Sequence, residues 1–224
     1  MKRANFNKTI ILAVLLIPIL FCSSGKQEER LAFCGFSIKK GGFYGENITM
    51  GYINQMMEYI VKESTVGDET GIADVVESIK KVIGINVPFV TYISKGEDNA
   101  FATVVKGRRI LVIDHMFMHT VNKGAGTEWA AISIIAHEIG HHVAGFSRRP
   151  TQHEAEFDAD YWSGYILQKL GSSEEAATKC IMRYGSEIDT KSHPNKYSRS
   201  SAIKKGWQDA KKGYLDKDRC QSYY

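Results

Sequence analysis

Ile134-Ile135-Ala136-His137-Glu138-Ile139-Gly140-His141-His142-Val143 is the stretch on which the reading of this chain turns. Apolar residues lead into it and follow it, and Glu138 is the one charge between His137 and His141. On an α-helix, positions i and i+4 stand on one face, so both imidazoles reach a single point in space. Polar groups on so apolar a helix are costly unless something satisfies them. A metal ion does so. Two imidazoles one turn apart supply two zinc ligands, and Glu138 beside them is placed to take a proton from metal-bound water. Zinc lowers the pKa of such water to about 7, which makes hydroxide available at neutral pH.

A catalytic zinc wants three protein ligands and an open position. The candidates for the third ligand are His153, Glu154, Glu156 and Asp158. A third histidine six residues after His141 is ruled out because Ser147 stands there, and Ala144 stands where that pattern needs glycine. Glu156 is favoured. Asp160 lies four residues later on the same helical face, so one acid can bind the metal while the other orients a ligand imidazole through its second nitrogen. His153 remains the rival. The expected cofactor is therefore one Zn2+ per chain, held by His137, His141 and Glu156. His115 and His119 repeat the i, i+4 spacing without an adjacent glutamate and read as surface or lining residues, and His142 reads as structural or supporting.

The flanking segments point to an α+β fold. Residues 127–145 read as the metal-binding helix, with Thr127 as N-cap and Gly145 as its stop. A helix follows over 152–170, closed by Gly171. Ser172 with Glu175 forms a capping-box signature for the next, and Pro194 opens a last helix running to about Lys212. Upstream, apolar spacing predicts helices over 48–63 and 73–83. Residues 87–93, 100–105 and 109–113 are short β-branched and aromatic runs separated by turns, which predicts an antiparallel meander beside the active-site helix. Residues 27–30 read as linker, and the glycine-rich stretch 35–45 has no assignment. The organisation expected is 1–24 as export signal, 25–47 as linker and 48–224 as one domain, mostly helical with a small antiparallel sheet.

Lys2, Arg3 and Lys8 precede an apolar run over 10–21 that is short of the roughly 20 residues a bilayer span needs. It reads as a secretory signal. Cleavage after Ser24 and lipid attachment at Cys22 are both open, the second with Phe21 where a small residue is usual. The protein is then exported: periplasmic, membrane-anchored through Cys22, or secreted. Removing those three cations from a formal charge of +4 leaves the mature chain near +1. That argues against nucleic acid as a partner. Cys34, Cys180 and Cys220 are too scattered for a zinc-thiolate site, and an exported chain permits a disulfide, with Cys180–Cys220 the pairing that would pin the C-terminal tail.

Four stretches in order carry a resemblance: Asn99-Ala100-Phe101-Ala102, His137 to His141, Glu156-Phe157-Asp158-Ala159-Asp160, and His193-Pro194 followed by Arg199. They resemble the zinc metallopeptidase family that includes HtpX and the membrane prenyl-protein (CAAX) protease, and in particular its small soluble or lipoprotein members. The resemblance implies a zincin-like domain and a zinc endopeptidase that hydrolyses envelope or misfolded proteins. It makes Glu156 the third zinc ligand, Asp160 and Arg199 supporting groups, and Asn99 to Ala102 an edge strand that pairs with an extended peptide. His193 then lies near the metal, where it steadies the tetrahedral intermediate or latches the fourth zinc position. The alternative function is an envelope chaperone or assembly factor with an idle or His193-latched zinc. Lys106-Gly107-Arg108-Arg109 departs from the family's glycine-rich turn, and the membrane members' transmembrane helices are lacking.

Overall fold

A computed structural model describes residues 30–37, 42–49, 71–84, 89–94, 99–105, 107–145 and 149–220, the first two stretches through their backbone pairing. The expected signal, Cys22 and most of the helix expected over 48–63 lie outside the described residues. Strands β1 (Arg30–Ser37) and β2 (Gly42–Thr49) precede helix α1 (Ile72–Ile83). Strands β3 (Phe89–Ser94), β4 (Ala100–Val105) and β5 (Arg108–Asp114) follow. The chain continues as α2 (His115–Ala125), α3 (Trp129–Ala144), α4 (Gln152–Lys169), α5 (Glu174–Tyr184) and α6 (Lys196–Lys211). The described residues are thus mostly helical with one small mixed sheet, an α+β arrangement. Among them no helix is long and apolar enough to cross a membrane.

Side-chain caps set the starts of α2, α4, α5 and α6, whereas α1 and α3 begin at Gly71 and Glu128 with no side-chain cap. Asp114 accepts from the amides of Met116 and Phe117 at the head of α2. Thr151 and Glu154 close a full capping box on α4, and Asn195 caps α6. The cap of α5 is Ser173, one residue beyond the serine expected, because Ser173 is the one whose side chain accepts from Ala176 N. Helix α3 is buried from Ala130 to Ala144, save half-buried Ile132. A helix apolar on nearly all sides belongs at the centre of a domain, and α3 contacts α1, α2, α4, α5 and the sheet.

The sheet departs from the expected meander. Its order is β2-β1-β4-β5-β3, with β3 parallel to β5 and β4 antiparallel to β5. The tight turn at Gly107 (φ 76°) makes β4 and β5 neighbours, and β3 joins on the far side of β5. Ile110 to Ile113 are all buried, as a central strand covered on both faces must be. A second correction concerns residues 35–49. The stretch left unassigned over 35–45 contributes to an antiparallel hairpin of β1 and β2, and Ile48 and Thr49 belong to β2 rather than to a helix. A third concerns the strand starting at Ala100. It is not an edge, because β1 pairs with it through Cys34↔Ala102, Gly35↔Phe101 and Phe36↔Ala100. Periodicity within a strand reports its burial and not which strand lies beside it. No disulfide joins Cys180 to Cys220.

Helices α4 and α6 pack backbone to backbone. A Cβ on Gly164 would lie 1.8 Å from the Ile203 carbonyl oxygen, and one on Gly206 would lie 1.9 Å from that of Tyr161. This reciprocal approach is what carries Arg199, at the start of α6, to α4. Gly164→Leu must push the two helices apart, so it is expected to lower stability by about 3 kcal/mol in urea or thermal unfolding, at the upper end of ordinary overpacking.

Candidate metal centre

Helix α3 presents His137, Glu138 and His141, and α4 presents Glu156 and Asp160. The approach of the two helices is set at Gly140, where a Cβ would meet the Ala159 carbonyl oxygen at 2.8 Å and the Trp162 Cβ at 3.0 Å. With no side chain at Gly140, the Glu156 carboxylate reaches both rings. Its Oε2 lies 3.3 Å from His137 Nε2 and its Oε1 lies 3.4 Å from His141 Nε2. Ligand atoms of the three residues all fall within 4.8 Å of one another.

This donor set fits zinc. Tetrahedral bonds of 2.0–2.1 Å put neighbouring donors about 3.3 Å apart, close to the 3.3 and 3.4 Å that separate the Glu156 oxygens from the two imidazole nitrogens. Glu138 Oε1 is buried without a hydrogen-bond partner, a costly arrangement that a polar occupant of the centre would relieve. Two imidazoles and a carboxylate are also the ligand types zinc takes in catalytic sites.

Second partners orient the ligands. His137 Nδ1 lies 2.9 Å from Asp160 Oδ1, which turns Nε2 of the same ring towards Glu156. Arg199 grips Asp160 with two bonds, Nε to Oδ2 at 2.8 Å and Nη2 to Oδ1 at 2.9 Å. It also lies 3.5 Å from Glu156 Oε2. Arg199 is only 1% exposed, so a guanidinium buried this deeply depends on its acidic partners. His193 comes from the turn before α6, and its Nε2 lies 3.2 Å from Glu156 Oε2. That turn is closed by the Thr190 hydroxyl, which accepts from His193 N, and His153 Nε2 is bonded to the Thr190 carbonyl at 2.8 Å.

Protonation follows from burial and these neighbours. Burial pushes the Glu138 carboxyl up to about 8, with the Glu156 charge adding to the effect. Burial holds His141 down to about 3 and His193 to about 4. His137 is the exception: burial disfavours its charge, but Asp160 and Glu156 outweigh burial and raise it to about 9. For Glu156, burial alone would raise the pKa, yet His193, His141, His137 and Arg199 hold it well below the ordinary value. The centre therefore combines a dry, readily protonated Glu138 with an ionised Glu156 less than 4 Å from three imidazoles.

The sequence candidates separate cleanly in space. His153 is used to tether the His193 turn and stands outside the three-residue donor group. Asp158 faces the other way and accepts from Arg149 and Arg219, which fastens the C-terminal segment to α4. Glu154 serves the capping box. His115 Nδ1 lies 3.3 Å from the Ser94 carbonyl, and His119 is exposed. His142 points away from the centre. It bonds the Ile110 carbonyl at 3.0 Å and stacks on Phe89, which ties α3 to the sheet. On β4, Ala102 N donates to Glu138 Oε2 at 3.1 Å, and the Asn99 carbonyl accepts from Asp114 N. Two roles had no sequence signal: Gly140 as the helix contact, and His153 with Thr190 as the tether of His193. Each depends on a neighbour distant in the chain.

Asp160→Asn replaces a carboxylate by an amide at the His137 Nδ1 contact with almost no change of volume. It is expected to weaken zinc binding by about 10- to 100-fold, measured by competition with a chromophoric chelator. An unchanged affinity would remove Asp160 from any part in holding the ring.

No curated protein and no solved structure gives a significant match to the chain. A family model does: residues 51–151 match peptidase family M48. The matched span contains β4 and the whole His137–His141 motif, while Glu156, Asp160, His193 and Arg199 follow it in sequence and join it in space. Over that span the chain is similar to peptidase family M48.

Proposed function

We propose that this chain is an exported zinc endopeptidase that hydrolyses extended segments of envelope or misfolded proteins. The observation that carries the reading is the spacing of His137 Nε2, His141 Nε2 and the Glu156 carboxylate, with the Glu138 carboxylate beside them inside a family M48 match. His137, His141 and Glu156 would hold one zinc ion, which when bound polarises a substrate carbonyl and makes water acidic enough to react at neutral pH.

The chain's own groups supply the rest. Asp160, held by Arg199, fixes the His137 ring with Nε2 towards the centre. Glu138 keeps one oxygen anchored by Ala102 N and the other unpartnered, so it can accept the proton of the attacking water without turning. Its raised pKa suits it to hold that proton and pass it to the departing amine as the C–N bond breaks. His193, kept neutral by burial, donates through Nε2 towards the carbonyl oxygen as negative charge develops there. The burial of the whole centre excludes bulk water and strengthens each of these interactions. Backbone groups of Ala100 to Ala102, which β1 pairs with in this structure, would align the peptide beside Glu138 once β1 yields them. Residues 1–24 direct export, with Cys22 as the candidate lipid attachment point.

The test is zinc content and casein cleavage of wild type and Glu138→Gln. Wild type is expected to retain about one zinc per chain. The variant should keep the zinc and lose cleavage by about 10²- to 10⁴-fold. Equal cleavage by both would end the proposal. His193→Ala should keep zinc and lower kcat by about 10- to 1,000-fold, whereas a gain in activity would replace the assisting role with a latch.

A further inference from the structure

Strand β4 is bonded on both sides. β5 lies along one side over Ala100 to Val105, and β1 lies antiparallel along the other at Ala100, Phe101 and Ala102. Those three residues are the ones that would align a substrate, so a role for β1 at them rests on the proposed peptidase activity. Ala102 donates its amide to Glu138, which puts this part of β4 directly against the carboxylate that would carry the proton. β1 itself touches α3. An extended peptide bound to a strand uses the one row of backbone groups that the strand has to offer, so β1 and a peptide cannot share that row.

We propose that β1 occupies the position of the substrate strand and that substrate enters by exchanging with it. The pairing pattern suits a removable occupant. Among the described residues, β1 is matched to β2 along its full length, from Arg30↔Thr49 to Ser37↔Gly42, but to β4 only over Cys34, Gly35 and Phe36. The hairpin is therefore one unit joined to the rest of the sheet by a short seam. Gly35 stands at the middle of that seam, where it brings no side chain to pack and weakens the strand. Detaching the hairpin leaves the β3-β5-β4 pairings whole. The ligand class that replaces β1 is an unstructured polypeptide lying antiparallel to β4. Its apparent affinity is reduced by the fraction of molecules in which β1 is seated.

The experiment uses the full chain, zinc-loaded, in the Glu138→Gln background so that binding is read without turnover. The probe is a fluorescent unstructured casein peptide followed by anisotropy. Successive residues of a strand turn their N–H groups to opposite sides, so Gly35→Pro or Phe36→Pro removes a donor from the seam. At least one of them is expected to bind the peptide about tenfold tighter and, with Glu138 restored, to cut it faster at low substrate. The converse variant is Ala102→Cys, which opposes native Cys34 within disulfide reach. Its oxidised form should lose binding and its reduced form regain it. Hydrogen exchange in α3 and α4 checks that the core is intact. Proline variants with a protected core and unchanged peptide affinity, or an oxidised lock that binds as well as the reduced form, would overturn the proposal. Tighter binding by the proline variants, with no casein cleavage by wild type, would leave the β1 exchange standing and reject the peptidase reading instead.

Discussion

The close approach of α3 and α4 at Gly140 is the constraint on which the rest of this protein depends. It allows a carboxylate from one helix to reach two imidazoles on the other, and any side chain at Gly140 would meet the Ala159 carbonyl. A centre assembled this way is expensive. It buries His137, Glu138, His141, Glu156, Asp160 and Arg199 at 2% exposure or less. Charges are tolerated at such depth only when they face one another with good geometry. The two-bond grip of Arg199 on Asp160 meets that condition, and it explains why α6 must lie so near α4.

The same logic links stability to chemistry. Gly164 and Gly206 let α4 and α6 touch through their backbones, Asp160 and Arg199 then meet, and His137 is turned by Asp160 towards Glu156. A packing feature two helices away therefore decides the direction of a ring nitrogen. His193 is positioned by another route, through its own turn and the tether of His153 to Thr190. The centre thus has a rigid side made of helices and a side made of a short hydrogen-bonded turn. The similarity to family M48 follows such a division, since the matched span ends before the elements that complete the centre.

The sheet adds a different kind of constraint. β4 brings a backbone amide to Glu138, so the strand is part of the centre and not merely its support. Yet β1 lies along the side of that strand opposite β5. On the proposed peptidase reading, resting structure and substrate alignment would therefore compete for one row of hydrogen-bonding groups. In a sheet this competition is local, because a hairpin can leave one edge without disturbing the pairs beyond it.

Much of this was legible in the residues themselves. The i, i+4 histidines with Glu138 between them, and the pairing of Glu156 with Asp160 on one helical face, are local patterns governed by helix periodicity. The stop at Gly145 is local as well, because a cap bonds within its own turn, whereas the caps at Thr151 and Asn195 emerged only in the structure. The mixed strand order, the hairpin over 30–49 and the burial of β4 between β1 and β5 were not legible. Strand alternation carries no information about which strand is the neighbour, and that choice is made by pairings between residues far apart in the chain. The contact at Gly140 and the seat of Arg199 belong to the same class. By itself, the sequence determined which residues can bind and which can take a proton. Tertiary packing decided which of them meet, because only packing sets distances between separate helices.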